Sequence, residues 1–266
     1  MHRVLKIAVV LVMLVGLIGT ADATTNILYF TDGVQGTDRM AEALANLVAG
    51  GGYSVTTVPN DATGPVVFAT QIATPGAYNL GIFMVQTALL DSGDYDGGIT
   101  ALGAFVAAGG RSIYTNCGMD EGGSYAALFG AAWTGYSIAT SFGVTDPLAT
   151  GITNPVGLNN PGYAYYAMGV SVPAGVDGLV AATFLDVNGN LTTEGAIVIS
   201  NIGEGGRSIT NGFLTDTFVG DGSQGVQLYI NEIKYLTNQV PLPGAVWLLG
   251  SGLLGLSLLR GRMRKD

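Results

Sequence analysis

"TNILYFTDGVQGTDRMAEALANLVAGGGYSVTTV", residues 25–58, sets the architecture. Ile27 to Phe30 is a short apolar run that ends in the polar turn Thr31-Asp32-Gly33. That pattern is a buried strand and its exit turn. Met40, Ala43, Leu44, Leu47 and Val48 then recur at three- and four-residue spacing, and Asp38 stands where an N-cap acceptor belongs. Gly50-Gly51-Gly52 stops this helix, and Tyr53 to Val58 reads as a second strand. Strand, helix and strand at this spacing form a β-α-β unit, with parallel strands and a right-handed crossover.

The alternation continues outward from this unit. "NLGIFMVQ" reads as a buried strand, "GGITALGAFVAAGG" as a small-residue helix, and "RSIYTN" as a strand leading to Cys117. "SYAALFGAAW" is expected to be another helix. The expectation is an α/β fold with a mostly parallel sheet, covered by helices on both faces. From about residue 133 the chain is rich in Gly, Pro, Asn and Thr, so loops and short strands are expected there. Two β-rich runs flank Asn188-Gly189, a hairpin signal. "GGRSITN", residues 205–211, echoes "GGRSIYTN", residues 109–116: a glycine turn feeding a buried strand, used twice. "GVQLYINEIKYLTNQ" closes the body as an amphipathic helix.

Both chain ends read as address labels. Residues 1–23 carry Arg3 and Lys6, an apolar run from Ile7 to Ile18, and Ala21-Asp22-Ala23. This is the pattern of a secretory signal peptide, with cleavage by signal peptidase expected after Ala23. Residues 240–266 consist of the stiff motif Val240-Pro241-Leu242-Pro243, an uncharged apolar segment from Gly244 to Leu259, and the basic cluster Arg260, Arg262, Arg264 and Lys265. The expected layout is therefore a signal peptide over 1–23, one α/β body over 24–239 and a sorting signal over 240–266.

Composition narrows the body's role. Six of the ten Lys and Arg and two of the nineteen Asp and Glu lie in the terminal segments, which leaves the body four cations and seventeen carboxylates, a formal charge of −13. Such a surface repels phosphate backbones and excludes nucleic-acid binding as a function class. It favours solubility and divalent cations. A single cysteine permits no internal disulfide, so the fold must rest on its core.

The carboxyl-terminal tripartite segment closely resembles the PEP-CTERM sorting signal in its VPLPA-type variant, with Gly244 in place of the commoner alanine. The resemblance implies processing by an exosortase in a Gram-negative bacterium. It also implies a transient inner-membrane anchor, then delivery to the cell surface or the extracellular matrix of exopolysaccharide and biofilm. "NILYFTDG", "FVAAGGRSIYTNCG", "LFGAAWTGY" and "GGRSITNG" resemble class I glutamine amidotransferase-like domains, above all the ThuA-like branch. That resemblance implies a flavodoxin-like doubly wound core and a cysteine nucleophile at the position of Cys117; the β-rich second half is read from the residues after 133.

Cys117 is the catalytic candidate, but a thiolate needs a histidine or another positive neighbour. The single histidine, His2, lies in the signal peptide, and Tyr136 stands where ThuA-like sequences often carry histidine. Asp120 and Glu121 would raise the thiol pKa by repulsion, and a helix N-terminus would offset that by only about 0.3–1 kcal/mol. The residue pattern therefore favours a structural or vestigial Cys117 and a non-catalytic body. Asp32, Asp120, Glu121, Glu204 and Asp216 follow expected strand ends. They are candidate ligands for calcium, the one candidate ion, against a reading as solvated turn carboxylates. Trp133 and "YAYYAMG" are candidates for stacking on a polysaccharide, against ordinary core packing. "DVNGNLTTE", residues 186–194, partly resembles a calcium loop but reads better as a plain Asn-Gly hairpin. The alternative function is a divergent amidotransferase-like hydrolase acting on glycans or amides through Cys117 or the strand-end carboxylates.

Overall fold

The computed structural model describes residues 24–33, 36–87, 92–118, 125–136, 138–158, 167–214 and 222–237. Both terminal segments lie outside them, as do Asp120, Glu121 and Asp216. The described strands form an eleven-stranded mixed sheet. Its first half is β1 (Thr25–Thr31), β2 (Tyr53–Thr57), β3 (Leu80–Val85) and β4 (Arg111–Asn116). With β11 (Gly206–Asn211) these run parallel in the order β2-β1-β3-β4-β11. β3 is buried along its whole length, as a parallel strand covered on both faces must be.

Helices sit on both faces of this half. α1 (Arg39–Gly50) is capped by Asp38, whose carboxylate accepts from the Ala41 N–H at 3.0 Å, and it buries Met40, Ala43, Leu44 and Leu47. It packs beside α5 (Gly222–Thr237), which buries Leu228, Tyr229, Ile233 and Leu236 on the same face. On the opposite face α2 (Gly64–Ile72) and α3 (Ser92–Ala107) bury Phe68, Ile72, Ile99, Leu102 and Val106. There Phe83 lies against Phe30 with the rings tilted at 4.4 Å and meets Phe68 edge-on at 5.0 Å.

Two elements differ from expectation. α2 lies between the second and third strands, where no helix is expected from the sequence; it completes a second β-α-β unit. The helix expected over "SYAALFGAAW" is only the single turn α4 (Tyr125–Leu128), because Gly130 takes φ 65° and Ala132–Tyr136 pairs as strand β5. Phe129, just past that turn, stacks on Tyr114 at 4.3 Å.

The second half is antiparallel; its turn-rich composition predicts short strands and loops but not their direction. β6 (Ser141–Val144), β7 (Val156–Gly157), β8 (Met168–Ser171), β9 (Gly178–Leu185) and β10 (Leu191–Ile202) extend the sheet from β11 outward. The β9–β10 connection is the Asn188-Gly189 hairpin, with Gly189 at φ 80°. The Asp186 carboxylate accepts the N–H groups of Asn188 and Asn190, both at 2.8 Å. Those bonds, chiefly the one from Asn190, hold its carboxyl below the usual range. The loop's acid therefore closes its own turn. Among the described residues no helix is long and apolar enough to cross a membrane; residues 240–266, where a sorting signal is expected, fall outside them.

The echoed motifs turn out to be neighbours. β11 pairs with β4 in parallel so that Arg207, Ser208, Ile209 and Thr210 face Arg111, Ser112, Ile113 and Tyr114. Ser112 Oγ donates to Ser208 Oγ at 2.8 Å across the seam.

Candidate functional site

Chain order places the switch point of the parallel strands between β1 and β3. From β1 the chain crosses to β2 on one side, then returns through α2 to β3 on the other. Ligands of open α/β sheets bind outside the carboxyl ends of the strands at such a point. Three residues meet there on adjacent strand ends: Asp32 after β1, Gln86 after β3 and Cys117 after β4. The adjacency follows from the register, which pairs Thr31 with Met84 and Val85 with Asn116.

Asp32 is fully buried and committed to the fold. Its Oδ1 accepts the Gln86 N–H at 2.6 Å and the Thr87 N–H at 3.3 Å; its Oδ2 accepts the Tyr95 hydroxyl at 2.7 Å and the Thr87 hydroxyl at 3.4 Å. The carboxylate thus ties the end of β1 to the loop after β3 and to α3. A cation would have to displace those donors, so the geometry makes Asp32 a brace.

Cys117 is half-buried on a sharp strand-end turn, as its spacing predicts. Its N–H donates to Val85 O at 2.9 Å, extending the β3–β4 ladder by one residue. Asn116 then turns the chain: its Oδ1 accepts the Gly118 N–H at 2.8 Å, and its Nδ2 donates to the Tyr114 hydroxyl at 3.0 Å. The side chain packs against the Phe30–Phe83 core. The next described helix after Cys117, α4, is too short to carry a developed dipole.

Glu204 does not join this group. It stands exposed in the β10–β11 turn, with its backbone beside Gly109. β10 is antiparallel, so its exit lies at the amino edge of the parallel strands, roughly 20–25 Å from Cys117 at strand rise per residue. Convergence of these strand-end carboxylates on one edge would need every strand to run one way. Asp120, Glu121 and Asp216 lie outside the described residues, and among those described no group of three or more His, Cys, Asp or Glu side chains is placed to hold a metal ion. Trp133 packs on the same core and meets Tyr136 edge-on at 5.7 Å; the tyrosines of "YAYYAMG" lie outside the described residues.

Two features escaped the sequence reading. The first is Glu232, fully buried in the apolar stripe of α5. Its Oε2 accepts Asn211 Nδ2 at 3.1 Å, where β11 ends. Among the described residues its Oε1 has no partner, nor have Asn211 Oδ1 and Thr115 Oγ1. Thr115 lies one step beyond the paired Tyr114 and Thr210, level with Asn211 on the face that α5 covers. Burial pushes the Glu232 carboxyl up to about 8, against the smaller opposing pull of the Asn211 hydrogen bond. At neutral pH it is therefore mainly a neutral acid, able to donate a hydrogen bond. The signal was an acid within the helix's apolar rows, beside Tyr229 and Ile233.

The second is a groove of about 700 Å³ between α1 and the β1–β2 edge. Leu44, Val48 and Val55 form its walls, and Thr31, Thr57 and Asn60 supply polar atoms. At its base the Tyr29 hydroxyl donates to Asp38 Oδ2 at 2.6 Å. Burial, reinforced by the Asp38 charge, holds the Tyr29 phenol well above its usual range. An apolar cleft with a few placed polar groups suits ligand binding; its lining holds no nucleophile–base pair. Comparison with protein-family models, curated proteins and solved structures finds no match to this chain.

Proposed function

We propose that the protein is an exported surface or extracellular-matrix component, sorted by an exosortase, whose α/β body binds a ligand within an exopolysaccharide or biofilm. Export rests on the two terminal segments, which in order carry a signal-peptide pattern and a VPLP motif, apolar span and basic end. The observation that carries binding over catalysis is Asp32: the one described carboxylate at the switch point is spent on four structural donors. The lack of any histidine between residues 24 and 239 supports the same reading. The strand order β2-β1-β3-β4-β11 fits a flavodoxin-like core, and the body is read as a degenerate amidotransferase-like domain.

The hydrolase reading keeps one observation in its favour, the strand-end turn that presents Cys117. The rate of Cys117 labelling by a small thiol reagent, followed against pH, separates the two. A binding protein labels slowly until pH approaches about 8.5, the value of a free thiol. Fast labelling with a midpoint well below that would reveal an activated thiolate and move the hydrolase reading ahead.

A further inference from the structure

The strand order ends in β7 on one side and β2 on the other. β7 is two residues long, so its edge offers little backbone to pair with. β2 is five residues long and runs in unbroken register along β1; its sequence, Tyr53-Ser54-Val55-Thr56-Thr57, holds no charge and no proline. Sheet edges are ordinarily guarded by shortness, a charge, a proline or a bulge. β2 has none of these.

Half of the β2 backbone is already bonded. Gly52 O accepts the Thr25 N–H at 2.9 Å, and the Val58 N–H donates to Tyr29 O at 3.0 Å. Alternate residues of a parallel strand face the same neighbour, so Ser54 and Thr56 also point to β1, while Tyr53, Val55 and Thr57 turn both N–H and C=O outward. Among the described residues no strand pairs with that outer side. Beside it α1 presents an uncharged row. Ala41, Ala45, Val48 and Ala49 line the groove between α1 and β2 and are all exposed, Val48 by 45 % although it belongs to the helix's apolar pattern. Asp38, bonded to Tyr29, is the one charged side chain in that lining.

We propose that β2 pairs antiparallel with β2 of a second copy of this chain, about a two-fold axis at Val55. Val55 then faces its own counterpart and Tyr53 faces Thr57, so every outward N–H meets an outward C=O, in about six hydrogen bonds. The side-chain pairs of this register are valine with valine, tyrosine with threonine, and Ser54 with Thr56. Aromatic, β-branched and hydroxyl pairs of this kind stabilise antiparallel strands, and no like charges are opposed. The same axis joins the two uncharged rows. It sets the α1 helices two strand spacings apart, roughly 10 Å, which is the packing distance of helices. Ala45 and Ala49 are small enough to admit the partner's Val48. A foreign strand would satisfy the backbone, but a second copy also brings a matching row beside α1. The proposal does not draw on export, sorting or ligand binding, so either reading can fail while the other stands.

Sedimentation equilibrium of the full chain reads the mass, and residue-resolved amide exchange reads the surface. A monomer–dimer equilibrium is expected, with a dissociation constant of about 1–100 µM, as suits a small interface. It should tighten as salt rises, because the body's charge of −13 sets the copies against each other and screening relieves that. In the dimer the Tyr53, Val55 and Thr57 amides should be protected along with those of Ser54 and Thr56; on dilution only the latter two should stay so. Thr57→Pro removes an outward N–H, takes no bond from β1, and should abolish the dimer. Val48→Lys sets like charges across the axis and should weaken it by about tenfold or more. Should the proline variant fail to fold, the lysine variant decides. A chain still monomeric at about 1 mM, or an association that weakens with salt, would overturn the proposal. So would a dimer unmoved by both variants, or one whose Tyr53 and Val55 amides exchange freely, as association through the apolar segment 244–259 would leave them.

Discussion

Glu232 is the residue with the clearest measurable consequence. Its carboxyl rises from an ordinary 4.5 to about 8 on folding, chiefly through burial. An acid whose folded value lies above its unfolded value holds more protons folded than unfolded between the two. Its ionisation therefore costs nothing below pH 4.5, opposes folding increasingly up to about pH 8, and is constant beyond. The slope is about 1.4 kcal/mol per pH unit. Glu232→Gln removes the charge and keeps the shape. Its melting temperature should match the parent near pH 4 and exceed it by about 5–15 °C at pH 8. A constant difference across that range would mean that Glu232 ionises as freely in the folded protein as outside it. The position of Glu232 in the apolar rows was legible, but its partner was not, because Asn211 lies twenty-one positions away. Cys117 and Asp32 were legible as strand-end residues, since hydrophobic runs mark where strands stop. The use of Asp32 was not, because its donors come from residues 86, 87 and 95.

Elements were legible where local chemistry and packing agree. α1 has a cap, a periodic apolar face and a glycine stop, and each is realised except that Val48, expected in the face, stands exposed. α2 is less plainly marked, although Pro65 stands in its first turn and Pro65, Phe68 and Ile72 are buried at helical spacing. Its "GPVVFATQI" holds adjacent β-branched valines, and Thr63 makes no side-chain capping bond. The need to cross between parallel strands also favours a helix here. "SYAALFGAAW" fails in the opposite sense: good helix formers yield after one turn to Gly130 and to the stacking of Phe129 on Tyr114. The cap of α1 gives a test at this scale. Asp38 accepts from the Ala41 N–H and from the buried Tyr29 hydroxyl. Asp38→Ala should cost about 2–3 kcal/mol in denaturant unfolding, one part a lost cap and one part a stranded phenol. Asp38→Ala with Tyr29→Phe should be less destabilised than the sum of the two single variants, because the phenol that lacked a partner is gone. Strict additivity would show that the Tyr29–Asp38 bond contributes nothing to holding α1 on the sheet.

At the scale of the whole molecule, β11 joins two regimes of pairing, parallel to β4 and antiparallel to β10. The composition change near residue 133 invites a reading as two independently stable parts. The core opposes it. One continuous cluster runs from Ile27 and Leu44 in the parallel half to Phe142, Phe184 and Phe213 in the antiparallel half, where Phe142 stacks on Phe213 at 4.8 Å. Neither half can keep that surface from water alone, so the two should unfold together. Each half offers a reporter: Trp133 on β5, once Trp247→Phe removes the second tryptophan, and the thiol of Cys117 at the end of β4. Trp133 fluorescence and Cys117 labelling should give the same denaturant midpoint. The seam can be perturbed at Gly206, where an added Cβ would run into the carbonyl oxygen of Val106. Gly206→Ala should therefore lower both midpoints equally, by about 1–3 kcal/mol of stability, the usual range for overpacking. A shift at one reporter alone would divide the body at β11, and the residues after 133 would then have to be treated as a separate folding unit.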